Sequence, residues 1–160
     1  MRVIKRSGTY EEISFDKITT RIKQLCISEE FKKKLLNIDP VVIAQKVCSE
    51  IYDGIKTTEL DELSSQISIS MYSTHPEFST LASRIVISNH QKETEPLFSE
   101  VIQKLYEKNI IQDYLYDLVI ENKNDIDAMV CHHNDFELDY FGFKTLEKSY
   151  LLKIDGIIVE

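Results

Sequence analysis

The pattern of apolar positions at the start of the chain consists of short runs separated by polar residues, which is typical of short β-strands joined by a turn. Two short apolar runs flank the pair Ser7-Gly8, and glycine accepts the positive φ angles of tight turns, so the pattern predicts a β-hairpin. The register stays open: an even loop sets Lys5 opposite Tyr10, whereas an odd, bulged loop sets it opposite Glu11. The apolar residues of the two runs are Val3, Ile4, Tyr10 and Ile13.

After residue 15 the apolar positions recur every three or four residues, which predicts α-helices. Four such segments precede residue 94, so we expect the hairpin to cap a four-helix bundle. The expected inner faces are Ile18, Ile22, Leu25 and Cys26; Val41, Ala44, Val47, Cys48 and Ile51; Leu60, Leu63, Ile67 and Met71; and Phe78, Leu81, Ala82 and Ile85.

Polar residues, proline and glycine mark the ends of these helices. The Asp53-Gly54 pair is expected to stop the second helix. The expected starts are Asp16 as an N-cap, Asp39-Pro40 as a cap followed by proline, and two motifs that resemble capping boxes, Thr58-x-x-Asp61 and Thr74-x-x-Glu77.

Pro96 marks the expected boundary between two domains, residues 1–94 and 95–160. Two more stripes with helical spacing follow, then an acidic connection and a final strand candidate at residues 157–159. The expected fold class is therefore mainly α with a small β component (α+β). The two stripes consist of Phe98, Val101, Ile102, Leu105 and Tyr106, and of Ile111, Tyr114, Leu115 and Leu118.

The 160 residues are 42% apolar and 29% charged, the composition of a globular protein with an apolar core. No apolar run approaches the roughly 20 residues of a membrane helix, and no segment of signal-peptide type follows the basic N-terminus. We therefore expect a cytoplasmic protein with no membrane partner.

The formal net charge of −8 argues against a nucleic-acid partner, but the charge is unevenly distributed. Residues 1–25 hold six cations and three anions, a local excess of +3. A basic region on an acidic protein fits a small polyanion better than a long one.

The three cysteines form no CxxC pair, so we expect reduced thiols. Cys26 and Cys48 fall in apolar helical stripes and are interpreted as small buried hydrophobes. Cys131-His132-His133 is the one local cluster of metal-capable side chains, but no second cluster accompanies it. We expect no metal held by protein side chains.

No glycine-rich phosphate loop can be written, because the chain has only four glycines, all far apart. Phosphate binding would need basic side chains, and Lys5, Arg6, Lys17 and Lys92 are the candidates. Lys17 is informative because a cation in the first turn of a helix opposes the helix dipole unless an anion shares the position. A purely structural alternative pairs these surface charges with Glu11, Glu12 and Asp16.

Four segments, in order, resemble a known family. The opening signature of the ATP-cone is similar to VIKRSGTYEEISFDKITTRI, and its later segments are similar to YDGIKTTELDEL and LASRIVISNHQKE. The entry into the catalytic barrel of class I ribonucleoside-diphosphate reductase large subunits, of the eukaryotic and viral type, is similar to HNDFELDYFGFKTLEKSYLLKIDG. The resemblance spans almost the whole chain.

This resemblance implies an allosteric site for ATP or dATP, with magnesium. The basic residues would hold the triphosphate with help from the Thr57 hydroxyl, Glu11 and the segment through Ser14 would read the adenine, and Asp61 would lie near the ribose. The full set of expected binding residues is Lys5, Arg6, Glu11, Glu12, Ile13, Ser14, Phe15, Asp16, Lys17, Thr57, Asp61 and Lys92.

The resemblance also implies a role in regulating the reduction of ribonucleoside diphosphates for DNA synthesis. ATP would favour an active assembly of large subunits and dATP an inhibited one, and a small subunit would be a further partner. A ligand shifts an assembly only by binding its states with different affinity, so the cone is expected near a subunit interface. The reductase family uses barrel cysteines for catalysis; none of the three cysteines here matches them, so we expect no catalytic residue and no activity of this chain alone.

Two other classes of function compete with this interpretation. A free-standing nucleotide-responsive regulator would also use an ATP-cone, but the cone-bearing repressors carry a zinc ribbon before it, and this chain has no CxxC pair. A helical interaction domain with an incidental basic hairpin would not explain four ordered motifs.

Overall fold

In the computed structural model, which describes residues 1–160, the N-terminal segment forms the predicted hairpin. Strand β1 spans Arg2–Ile4, strand β2 spans Tyr10–Glu12, and the two pair antiparallel. The Lys5 N–H donates to the Thr9 carbonyl and the Gly8 N–H donates to the Lys5 carbonyl, both at 2.8 Å. The loop therefore has three residues, and its glycine has a φ of +79°.

The hairpin register differs from both alternatives considered above. Lys5 lies opposite Thr9, because the three-residue loop closes one position earlier than expected, and Val3 lies opposite Glu11. Side chains two residues apart on a strand share a face, so Lys5 lies on the same face as Val3 and Glu11.

A third strand was not predicted. Strand β3, Ile55–Lys56, pairs parallel with β1 and places Ile55 beside Val3, giving the sheet order β2-β1-β3. Both of these side chains are buried. A two-residue strand carries too little period-two signal to be recognised in a sequence.

The chain divides into two compact units, Met1–Asn89 and His90–Glu160. The four predicted helices are present, which confirms the mainly α fold class. All eight predicted inner-face residues of the first and fourth helices are buried. The helices are α1 Phe15–Ile27, α2 Pro40–Glu50, α3 Thr57–Ser70 and α4 Glu77–His90.

The inner face predicted for α2 is partly wrong. Val41 is 40% exposed, whereas Ile43 is fully buried together with Ala44 and Val47. The helix begins with three consecutive apolar residues, so periodicity fits two overlapping faces. Packing of α2 against α1 and α3 selects between them.

Serines, rather than the predicted leucines, form much of the buried face of α3. Ser64, Ser65 and Ser68 are buried beside Ile67, while the predicted Leu60, Leu63 and Met71 are only half-buried. The three serine hydroxyls donate to backbone carbonyls three or four residues earlier, each at 2.7 Å. Burial of these hydroxyls is tolerated because each has a partner.

Of the two helix starts predicted from single capping residues, that of α2 agrees with the prediction and that of α1 agrees only approximately. The Asp39 carboxylate caps α2 as expected, accepting from the Val41 N–H at 2.9 Å. Helix α1 begins earlier, with Ser14 as its N-cap and Asp16 inside the first turn.

Neither predicted capping box forms. Helix α3 starts after Lys56, whose N–H donates to the Glu59 carboxylate at 3.0 Å, because the pairing of β3 with β1 fixes where the chain turns into the helix. At α4 the Glu77 carboxylate accepts from the backbone and side-chain amides of Asn37, at 2.9 and 3.2 Å, instead of closing on Thr74.

A buried arginine closes the end of α1. Arg84 is 4% exposed and donates to the carbonyls of Leu25 and Lys33, at 2.8 and 2.6 Å. Its guanidinium carbon lies 3.9 Å from the centroid of the Phe31 ring. Beside it, burial raises the pKa of the Cys26 thiol to about 11, in agreement with its interpretation as an inert core residue.

The second unit is also mainly helical. Val101, Ile102, Leu105 and Val119 form its core. The expected strand at the C-terminus is present in a short hairpin. The elements are α5 Phe98–Glu107, α6 Asp113–Glu121, α7 Lys123–Met129, a 3-10 helix His132–Glu137, α8 Tyr140–Ser149, and strands β4 Lys153–Ile154 and β5 Ile157–Ile158.

In the apolar stripe predicted around α6, Ile111 packs against the core of this unit, but the other three residues do not form a core face. Tyr114 is 77% exposed and Leu115 and Leu118 are also exposed, whereas Val119 points into the core. Tyr116 also packs against the core and stacks on Tyr106, with ring centroids 4.0 Å apart. None of the helices in the chain has the length and apolar character needed to cross a bilayer.

Candidate functional site

A cavity of about 300 Å³ lies in the first unit, where the sheet meets α1 and α3. Its volume is at the lower end of the range for small-molecule sites. Seven of the twelve predicted binding residues line it: Lys5, Glu11, Glu12, Ile13, Ser14, Lys17 and Thr57. The remaining lining residues are Val3, Ile18, Arg21, Ile22, Leu60 and Ser64.

The carboxylate of Glu11 is bridged by two lysines. Lys5 and Lys17 each form an ion pair with it, one through each carboxylate oxygen. The hairpin brings Lys5 and Glu11 to one face of the sheet, and the first turn of α1 brings Lys17 to the same point. Two cations thus converge on one anion, which leaves a local excess of positive charge.

A second charged cluster surrounds Asp61, which lies one turn into α3. Its side chain is only 13% exposed, and its Oδ2 lies 3.5 Å from Nη2 of Arg6 and 3.6 Å from Nη2 of Arg21. The Arg6 guanidinium also donates to the Asn89 side chain, and the Arg21 guanidinium donates to the Ser88 hydroxyl at 3.0 Å. A mostly buried carboxylate is stable only when paired, and here two guanidinium groups pair with it.

Other predicted residues lie elsewhere. Phe15 and Asp16 are exposed at the start of α1 and do not line the cavity. Lys92 belongs to the second unit, beyond the end of α4. Arg6 and Asp61 lie in the first unit, in the charged cluster described above.

Arg21 was missed by the sequence analysis, although it lines the cavity and contacts Asp61. The signal was available, because Arg21 follows Lys17 by four residues and side chains at that spacing share one face of a helix. Arg21 is one of the six cations of residues 1–25, but no motif predicted a role for it.

No group of three or more His, Cys, Asp or Glu side chains in the chain is arranged to hold a metal ion. Glu11 and Asp61 are both engaged by cations.

Comparison with known proteins places these features in a family. The sequence model of the ATP-cone domain matches residues 1–93. The chain therefore belongs to the ATP-cone family.

Longer relatives match over the whole chain. The ribonucleoside-diphosphate reductase large chain of Schizosaccharomyces pombe is 41% identical over 169 aligned positions, which cover all of this chain and 20% of the relative. The large subunits of Arabidopsis thaliana and monkeypox virus are 40% and 46% identical, with 20% and 21% of their lengths covered. The chain spans about a fifth of the length of these relatives.

Proposed function

We propose that the first unit binds ATP and dATP as allosteric effectors, and that the chain is the N-terminal regulatory region of a ribonucleoside-diphosphate reductase large subunit. The observation that carries the proposal is the convergence of Lys5 and Lys17 on Glu11 at the cavity. The reductase large subunits to which the chain is similar support the enzyme proposed here as the regulated one, an oxidoreductase that makes deoxyribonucleotides.

The two ion pairs of Glu11 suggest how the nucleotide binds. A triphosphate is a stronger anion than Glu11 and would take Lys5 and Lys17 as charge-assisted donors. The carboxylate released in this exchange would then accept from the exocyclic amine of adenine. Guanine has an oxygen acceptor at that position, and a carboxylate cannot donate to it.

The remaining contacts complete the proposed site. Arg6 would join the triphosphate, the Thr57 hydroxyl would donate to a phosphate oxygen, and Asp61 would lie beside the ribose. Residues 12–16 would follow the base, and magnesium would accompany the phosphates.

At the level of the whole protein, residues 1–94 would form the effector domain and residues 95–160 the start of the catalytic domain. Effector binding would change how large subunits associate, and a small subunit would be the partner in catalysis. The protein would be cytoplasmic.

Isothermal titration of this chain with ATP, dATP and GTP tests the proposal. Both adenine nucleotides should bind, and GTP should bind much more weakly. Lys17→Ala should weaken ATP binding about tenfold, because it removes a charge-assisted phosphate contact, whereas Lys23→Ala, an equal charge change on the same helix, should have little effect. No heat with ATP or dATP at millimolar concentration would overturn the proposal.

A further inference from the structure

The Arg6–Asp61–Arg21 cluster contains more positive charge than its one carboxylate requires. Both guanidinium groups approach the same oxygen of Asp61, Oδ2, at 3.5 and 3.6 Å. The other oxygen, Oδ1, is left to accept from a further donor. A carboxylate whose one oxygen is held by cations presents the second oxygen in a fixed direction.

The two arginines are not equivalent. Under the proposed function, Arg6 joins the triphosphate together with its neighbour Lys5. Arg21 would then be the cation that remains within ion-pair distance of Asp61.

Arg21 also forms a hydrogen bond with a residue of helix α4. Its Nη2 donates to the Ser88 hydroxyl of α4 at 3.0 Å, and only 26% of its side chain is exposed. One guanidinium nitrogen of α1 therefore contacts side chains of both α3 and α4, and the Ser88 hydroxyl helps to fix its place beside Asp61.

We propose that Arg21 is a positioning residue that holds the Asp61 carboxylate in the orientation by which the site distinguishes ribose from deoxyribose. The inference rests on the proposed function, because it requires ATP and dATP to bind at this cavity. Arg21 contacts Asp61 and leaves Oδ1 to accept from the 2′-hydroxyl, which ATP has and dATP lacks.

The test measures the dissociation constants of ATP and dATP separately, by calorimetry, for the wild-type chain and for variants at position 21. Arg21→Met keeps most of the packing volume and removes the charge. ATP binding should weaken about tenfold and dATP binding by less than about twofold, the scale expected for one hydrogen bond to a charged group. Arg21→Lys should recover only part of the ATP preference.

Asp61→Asn supplies the second arm. If Arg21 acts through Asp61, the double variant with Arg21→Met and Asp61→Asn should have the same ratio of ATP to dATP affinity as Asp61→Asn alone. Lys23→Ala is the charge-matched control and should leave the ratio at the wild-type value. Should Arg21→Met lose its folded circular dichroism spectrum, Ser88→Ala, which keeps both charges and removes the anchor, should still shift the ratio in the same direction.

The outcomes separate the two proposals. Absence of binding by the wild-type chain would overturn the proposed function. Wild-type binding combined with equal weakening of ATP and dATP in Arg21→Met would overturn the positioning role and indicate a phosphate contact. Full additivity of Arg21→Met and Asp61→Asn would also overturn it.

Discussion

Replacing Glu11 by glutamine should relax the discrimination between ATP and GTP. The carboxylate only accepts hydrogen bonds, which suits the amine of adenine and opposes the oxygen of guanine. A glutamine amide can accept from the first or donate to the second. The substitution changes one atom and keeps the shape of the side chain.

The magnitude follows from the position of Glu11. Its side chain is 26% exposed and lies between Lys5 and Lys17, so a base contact there is partly shielded from water. A hydrogen bond to a charged group contributes about 1.5–3 kcal/mol, so the ratio of ATP to GTP affinity should fall by about 10- to 100-fold. Loss of the anion also leaves both lysines for phosphate, which should raise the affinity for both nucleotides alike.

Calorimetric titration of the wild-type chain and of Glu11→Gln with ATP and with GTP, at one ionic strength, gives the ratio of ATP to GTP affinity directly. Glu29→Gln, the same change at an exposed position of the first unit, controls for net charge. If Glu11→Gln shifts both affinities equally and keeps the ratio, Glu11 serves only the electrostatics of the lysines and does not read the base.

Two further predictions concern stability. Arg84→Ala should destabilise the first unit by about 3–5 kcal/mol, because it leaves the buried Leu25 carbonyl and the partly buried Lys33 carbonyl without their donor. Amide exchange should become faster throughout α1, and protection reduced by under about 1 kcal/mol would contradict this account. Hydrogen bonds from the side chain and backbone of Ser99 lower the pKa of Asp127. The ionised carboxylate should therefore stabilise α5 at pH values above the ordinary aspartate pKa of about 3.8. This stabilisation should be lost as the pH falls through the lowered pKa. Asp127→Asn should therefore speed amide exchange at the start of α5 at neutral pH, and equal exchange in both forms at neutral pH would refute the assignment.

Much of the first unit was predictable because it depends on neighbours in sequence. The inner faces of α1 and α4 and the Asp39 cap of α2 all follow from residues within one or two helical turns. The two lysines and Glu11 came from a motif whose members lie within 13 residues, and the hairpin brings them together.

The errors arise where distant segments meet. Helix α3 starts at residue 57 because β3 pairs with β1, a contact over some fifty residues that leaves almost no local signal. The expected capping box placed Asp61 in a local role, whereas its partners are Arg6 and Arg21 from other elements. The apolar residues predicted for α6 have helical spacing, but spacing shows only that they share one face of a helix. It does not show which segment, if any, packs against that face.

The sequence by itself determined the helices, the hairpin, the family and most of the charged residues of the site, because periodicity, turn chemistry and motifs are local properties. Only the tertiary structure decided which charges meet. It set the hairpin register that places Lys5 beside Glu11, and it brought Arg21 to Asp61 across forty residues. It also buried Arg84 against the carbonyl of Leu25 at the end of α1. Long-range pairing depends on packing and electrostatics summed over the whole unit, and no short stretch of sequence contains that sum.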